Sequence, residues 1–175
     1  PGSQPGSHTL TAYLLDMSAL SGFALPEDSR ERMLKGLTAF AEGSLKSTDW
    51  APSDSTLVGR IHALQSLVRQ GQQPVRTAAA LKLDLPALPT HALIDWYLVV
   101  KQLADLPQRE PALASVRREL RNRLNFAGSR LAFATERSDY WWWMMVNGDT
   151  NAFRLIEATL DDADWATERP RLMQG

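Results

Sequence analysis

Apolar residues recur along this chain at three- and four-residue spacing almost from end to end, the pattern of amphipathic helices. Leu10, Tyr13, Leu14 and Met17 predict a first helix that turns this stripe inward and closes near Gly22. Pro26 opens a second, with Asp28 and Glu31 as a capping pair and with Leu34, Leu37 and Ala41, flanked by Met33 and Phe40, as its buried stripe up to about Gly43. After a polar break containing Pro52 and Asp54, the stripe Leu57, Ile61, Leu64 and Val68 marks a third helix ending at Gly71. Pro74 begins a short Ala-rich helix through about Lys82. A Leu and Pro connector then leads to Thr90, the expected N-cap of a helix carrying Leu93, Trp96, Tyr97 and Val100. Ile94 and Leu98 add apolar residues on its flank, so this helix is expected to be buried on most sides.

Pro111 starts a further helix, with Leu113, Val116, Leu120 and Leu124 inward and Arg117, Arg118, Arg121 and Arg123 outward. The helical rhythm breaks over 126–136, where Gly128 and Ser129 form a turn and Leu131 and Phe133 alternate with Ala132 and Ala134 as a short extended segment. A helix returns at Asn151, capped by Asp149 or Thr150, with Ala152, Leu155, Ile156 and Thr159 inside. Helices of modest length joined by short Pro and Gly turns predict an all-α fold of antiparallel helical hairpins. No fixed repeat period is evident, which favours a curved ring or layer over a strict solenoid. Residues 1–8, rich in Gly, Pro and Ser, read as a flexible linker or a non-native scar, and 9–175 as one all-α domain. Glu168 to Gly175 reads as the opening turns of a longer helix, so a piece of a longer protein is expected.

Composition narrows the function classes. At 175 residues and 44% hydrophobic, the chain can bury a sizeable core. A formal net charge of -1 supplies no global basic field for nucleic acid or an anionic membrane. No apolar run reaches the roughly 20 residues of a membrane span. The cysteine count of 0 removes disulfides, thiolate metal sites and a cysteine nucleophile from this chain.

The densest chemistry lies at Ser138 to Asn151, where Trp141, Trp142 and Trp143 are consecutive and cannot all share one face of a helix or strand. They are the candidate binding residues, since their faces could stack on sugar rings or flank an aromatic cleft. Packing of two rings in a core with the third exposed is the plainer reading, and it outweighs the first. Asp161, Asp162 and Asp164 resemble an aspartate-rich magnesium and diphosphate site, but no second carboxylate cluster accompanies them, so loop acids capping the next helix are the preferred role. The arginines of 117–123 read as a solvated face, with Glu119 and Arg123 as a helical pair. His8 falls in the tail, while His62 and His91 have no second ligand at metal spacing. No Gly-Xaa-Ser-Xaa-Gly elbow positions a serine nucleophile. No catalytic residue, metal or cofactor is therefore expected.

Five segments, in order, carry a resemblance: Leu10 to Asp16 (LTAYLLD), Ser21 to Pro26 (SGFALP), Ala92 to Trp96 (ALIDW), Leu120 to Asn125 (LRNRLN) and Trp143 to Asn151 (WMMVNGDTN). Together they resemble the thioester-containing domain of the bacterial alpha-2-macroglobulins. The resemblance implies an α/α toroid, a closed ring of helical hairpins, of which this chain would be a part. It implies a non-enzymatic module of a protease-trapping inhibitor, in which bait cleavage triggers a large rearrangement. In many members an internal thioester between the Cys and Gln of a Cys-Xaa-Glu-Gln motif then acylates the protease. Here there is neither a cysteine nor a Glu-Gln pair, so either the motif lies upstream or the parent belongs to the thioester-less members. The implied partners are trapped proteases, other domains of the same chain and other envelope proteins, with neither nucleic acid nor membrane contact from this piece. The implied location is the periplasm, with the parent often lipid-anchored. Two rival expectations remain: a thioester-less interaction domain of an envelope complex, and an α/α-barrel enzyme acting on a glycan or a prenyl diphosphate.

Overall fold

The computed structural model describes residues 7–45, 55–127, 130–133 and 148–174. Among these the fold is all-α, with eight α-helices and a single two-stranded hairpin. The helices are α1 (His8–Ser21), α2 (Glu27–Glu42), α3 (Ser55–Arg69), α4 (Val75–Ala80), α5 (Thr90–Gln102), α6 (Arg109–Asn122), α7 (Gly148–Thr159) and α8 (Arg169–Leu172). Strands β1 (Leu124–Ala127) and β2 (Arg130–Phe133) pair antiparallel between α6 and α7. The chain divides into two compact units, one of residues 1–82 with 99–109, the other of 83–98 with 110–175. Helix α5 contributes residues to both.

In the first unit α1, α2 and α3 pack on one another. Ser7 caps α1, its hydroxyl accepting from the Leu10 N–H at 3.1 Å, so the helix starts at His8, before the first apolar position of its stripe. Gly22 and Gly43 close α1 and α2 in the left-handed conformation (φ 70° and 83°), and the Gly43 N–H returns to the carbonyls of Ala39 and Phe40. No side chain caps α2, so Asp28 and Glu31 do not form the expected pair; Glu27 and Asp28 instead place negative charge at the helix's positive end. The expected α2 stripe holds in part: Leu37, Phe40 and Ala41 are buried, while Met33 and Leu34 are half-buried. Arg60 reaches back from α3 to the Ala41 carbonyl at 2.7 Å and occupies one of the free acceptors at the end of α2.

The face of α1 is reversed relative to the sequence expectation. Leu10, Tyr13, Leu14 and Met17 are exposed, while Ala12 and Leu15 are fully buried. Apolar residues surround most of this helix, so periodicity alone does not select an inner face. Polar ties do: Asp16 pairs with Arg69 of α3 at 3.3 Å, and the Leu15 carbonyl accepts from Gln70 Nε2 at 2.8 Å. Both anchors lie beside Leu15 and fix the helix rotation. Helix α3 is buried continuously from Ala63 to Val68, which takes Gln65 and Ser66 inside along with the expected Ile61, Leu64 and Val68.

Helix α5 is buried on nearly every side, as its apolar flank predicts; Leu93, Ile94, Tyr97 and Val100 are fully enclosed. Its first turn opens one residue earlier than expected, with the Pro89 carbonyl accepting from Leu93 and Thr90 already helical. Arg109 closes its other end by donating to the carbonyls of Val100 (3.2 Å) and Lys101 (2.9 Å). Helix α6 buries Leu113, Val116 and Leu120, whereas Leu124 is the first residue of β1 rather than a helical position. The extended segment thus begins at 124 instead of 126, and the expected turn at Gly128 and Ser129 lies outside the described residues. Helix α7 starts at Gly148, making Thr150 a helical residue instead of a cap, and its buried face is Asn151, Leu155, Ala158 and Thr159. Ala152 and Ile156 are half-buried beside it. The expected terminal helix is a single turn, α8, which buries Leu172.

Candidate functional site

The most developed polar constellation lies in the second unit, where the segment following α7 meets α5 and α6. A 3-10 turn at Ala163–Trp165 is capped by Asp162, whose Oδ1 accepts from the Asp164 N–H at 3.0 Å. The other oxygen, Oδ2, receives the Tyr97 hydroxyl from α5 and Arg117 from α6 at 2.7 Å (Nη2) and 3.2 Å (Nε). Arg117 also reaches Asp164 Oδ2 at 2.6 Å. One helical turn further on, Arg121 donates to Glu168 Oε1 at 2.7 Å and to the Asp164 carbonyl. Its guanidinium lies 4.6 Å over the Trp165 ring, which meets Tyr97 edge-on at a centroid distance of 6.5 Å. The spacing explains the pairing. Arg117 and Arg121 are four apart on one face of α6, so both side chains reach the same short loop.

Electrostatics fixes the protonation states. Burial alone would push the Asp162 carboxyl up, but the Tyr97 hydroxyl, Arg117 and the Asp164 N–H together hold it below its ordinary value. Burial raises the Tyr97 phenol, and the neighbouring Asp162 charge raises it further. Arg117 is partly desolvated, yet Asp162 and Asp164 stabilise its charge and raise it overall. The cluster is thus an ionised carboxylate, a neutral phenol and a fixed cation. The arrangement clasps the C-terminal segment to α5 and α6.

Two further arginines work in the same unit. Arg123 pairs with Glu119 at 3.1 Å, as the i, i+4 spacing predicts. It also donates to Thr90 Oγ1 and to the carbonyls of Leu85 and Pro86, at 3.1 to 3.3 Å. Arg154 of α7 pairs with the fully buried Asp95 of α5. The expectation of a solvated arginine face on α6 is therefore corrected: Arg117, Arg121 and Arg123 carry contacts between elements far apart in sequence. For the acidic triplet, the capping role of Asp162 holds, and the ion pairs are an addition. Asp162 and Asp164 share one guanidinium, that of Arg117. Among the described residues no group of three or more His, Asp or Glu is arranged to hold a metal ion.

In the first unit His8, which the sequence places in the tail, is the first helical residue of α1 and stacks on Phe40 at 4.0 Å between centroids, nearly parallel at 18°. Gly59 permits this approach, because a Cβ there would lie 2.8 Å from His8 Nε2 and 3.3 Å from Phe40 Cζ. A cavity of about 280 Å³ opens beside this stack, lined by Met33, Leu37 and Leu45 with Arg32 also at its wall. His91 is buried in α5, and His62 sits half-buried in α3.

Trp141, Trp142 and Trp143 lie outside the described residues. The features that sequence reasoning missed are the Tyr97, Asp162 and Arg117 cluster and the exposed apolar face of α1. The first had a partial signal in Arg117 and Arg121 at helical spacing and in the Asp-Xaa-Asp-Trp of 162–165. No protein-family model, curated protein or solved structure matches this chain.

Proposed function

We propose that this chain is a non-enzymatic scaffold module of a bacterial alpha-2-macroglobulin-like protease-trapping protein, forming part of an α/α toroid in the parent. The observation that carries the reading is the set of five resembling segments in family order across nearly the whole chain. The all-α fold is in keeping with it. So is where the described parts of those segments fall. The first supplies Leu15 and Asp16, which fix α1 on α3; the third supplies Asp95, paired with Arg154; the fourth supplies Arg121 and Arg123. These are joints between elements, the kind of residue a scaffold needs. On this reading the module moves as part of the parent after bait cleavage, in the periplasm, and its partners are the trapped protease and neighbouring domains.

The test uses the full-length parent, incubated with proteases of differing specificity. Cleavage at one exposed segment followed by compaction, with the protease retained, is the expected outcome. Absence of both for every protease tried would end the proposal. Methylamine treatment separates its two forms: a thioester-bearing parent consumes the amine and releases a titratable thiol, whereas a thioester-less parent does neither and traps without covalent linkage.

A further inference from the structure

We draw no further inference here: the strongest candidate, the cavity of about 280 Å³ between α1 and α2 lined by Met33, Leu37, Phe40 and Leu45 with Arg32 at its wall, is an apolar hollow for which nothing in the structure shows what covers it.

Discussion

Replacing Asp162 with asparagine isolates the charge of the clasp while keeping its shape. The carboxylate serves three donors from different elements: the Tyr97 hydroxyl, the Arg117 guanidinium and the Asp164 N–H. An asparagine amide offers one accepting oxygen for those three, and it leaves Arg117, whose side chain is 18% exposed, without its closest buried counter-charge. Breaking one side of a buried ion pair costs about 3–5 kcal/mol. Asp164 remains at 2.6 Å from Arg117, but its side chain is 60% exposed, so its rescue amounts to a surface pair of roughly 0–1 kcal/mol. The expected net loss is therefore about 2–4 kcal/mol, a fall in Tm of roughly 5–10 °C for a chain of this size. Urea unfolding followed by circular dichroism measures it. Asp164→Asn should cost under about 1 kcal/mol in the same assay. The double variant Asp162→Leu with Arg117→Met should recover only part of the loss, because no orphaned charge is left but the Tyr97 hydroxyl and the Asp164 N–H lose their acceptor. A loss below about 0.5 kcal/mol for Asp162→Asn would place it among ordinary surface substitutions and refute the clasp.

Three other outcomes follow from the same geometry. Gly36→Ala should stabilise by about 0.5–1 kcal/mol, since Gly36 is a helical residue with nothing within 4 Å of an added Cβ, whereas Gly59→Ala should destabilise by a similar amount through its encounter with the His8 and Phe40 stack; a thermal melt of each checks the signs. Gln65→Met should stabilise by about 1–2 kcal/mol, because this side chain is buried in α3 with no hydrogen-bond partner for either amide atom among the described residues; unfolding in urea that leaves the midpoint unmoved or lowered would show that the amide is satisfied in solution. The Asp162 carboxyl is held below its ordinary value, so its contribution is present at neutral pH and is lost as pH falls through the acid range below about 4. The Tyr97 phenol is raised, so its contribution persists below about pH 10 and is lost as pH climbs above that. A pH series of urea midpoints should show both shoulders in the wild type, and the acid one should shrink in Asp162→Asn.

How far the sequence reached depends on what kind of fact was sought. Element existence was legible because a 3.6-residue period needs only neighbours in sequence; α2, α3 and α5 bury most of the stripes that their spacing marks, with Met33 and Leu34 of α2 and Leu57 at the start of α3 only half-buried. Rotation failed for α1 because apolar residues surround it, and the residues that settle the matter, Arg69 and Gln70, lie more than 50 positions away. For α6 the period sorted buried leucines from outer arginines correctly. It could not reveal that a segment 45 positions later covers those arginines. Caps slipped by one to three residues at Thr90 and Thr150, where a hydroxyl residue in the first turn reads the same as one just before it. The candidate site was the least legible part. Asp162 announced its capping role through local spacing, but its pairing with Tyr97 and Arg117 joins residues 65 and 45 positions apart, and one sequence carries no information on such distances.

The measurement closest to the central claim is the sedimentation coefficient of the full-length parent before and after limited exposure to a protease. A scaffold module of a protease trap predicts a faster-sedimenting, more compact species that retains the protease and appears in step with cleavage at one exposed segment. An unchanged coefficient after complete cleavage, or free protease at the end, would contradict it.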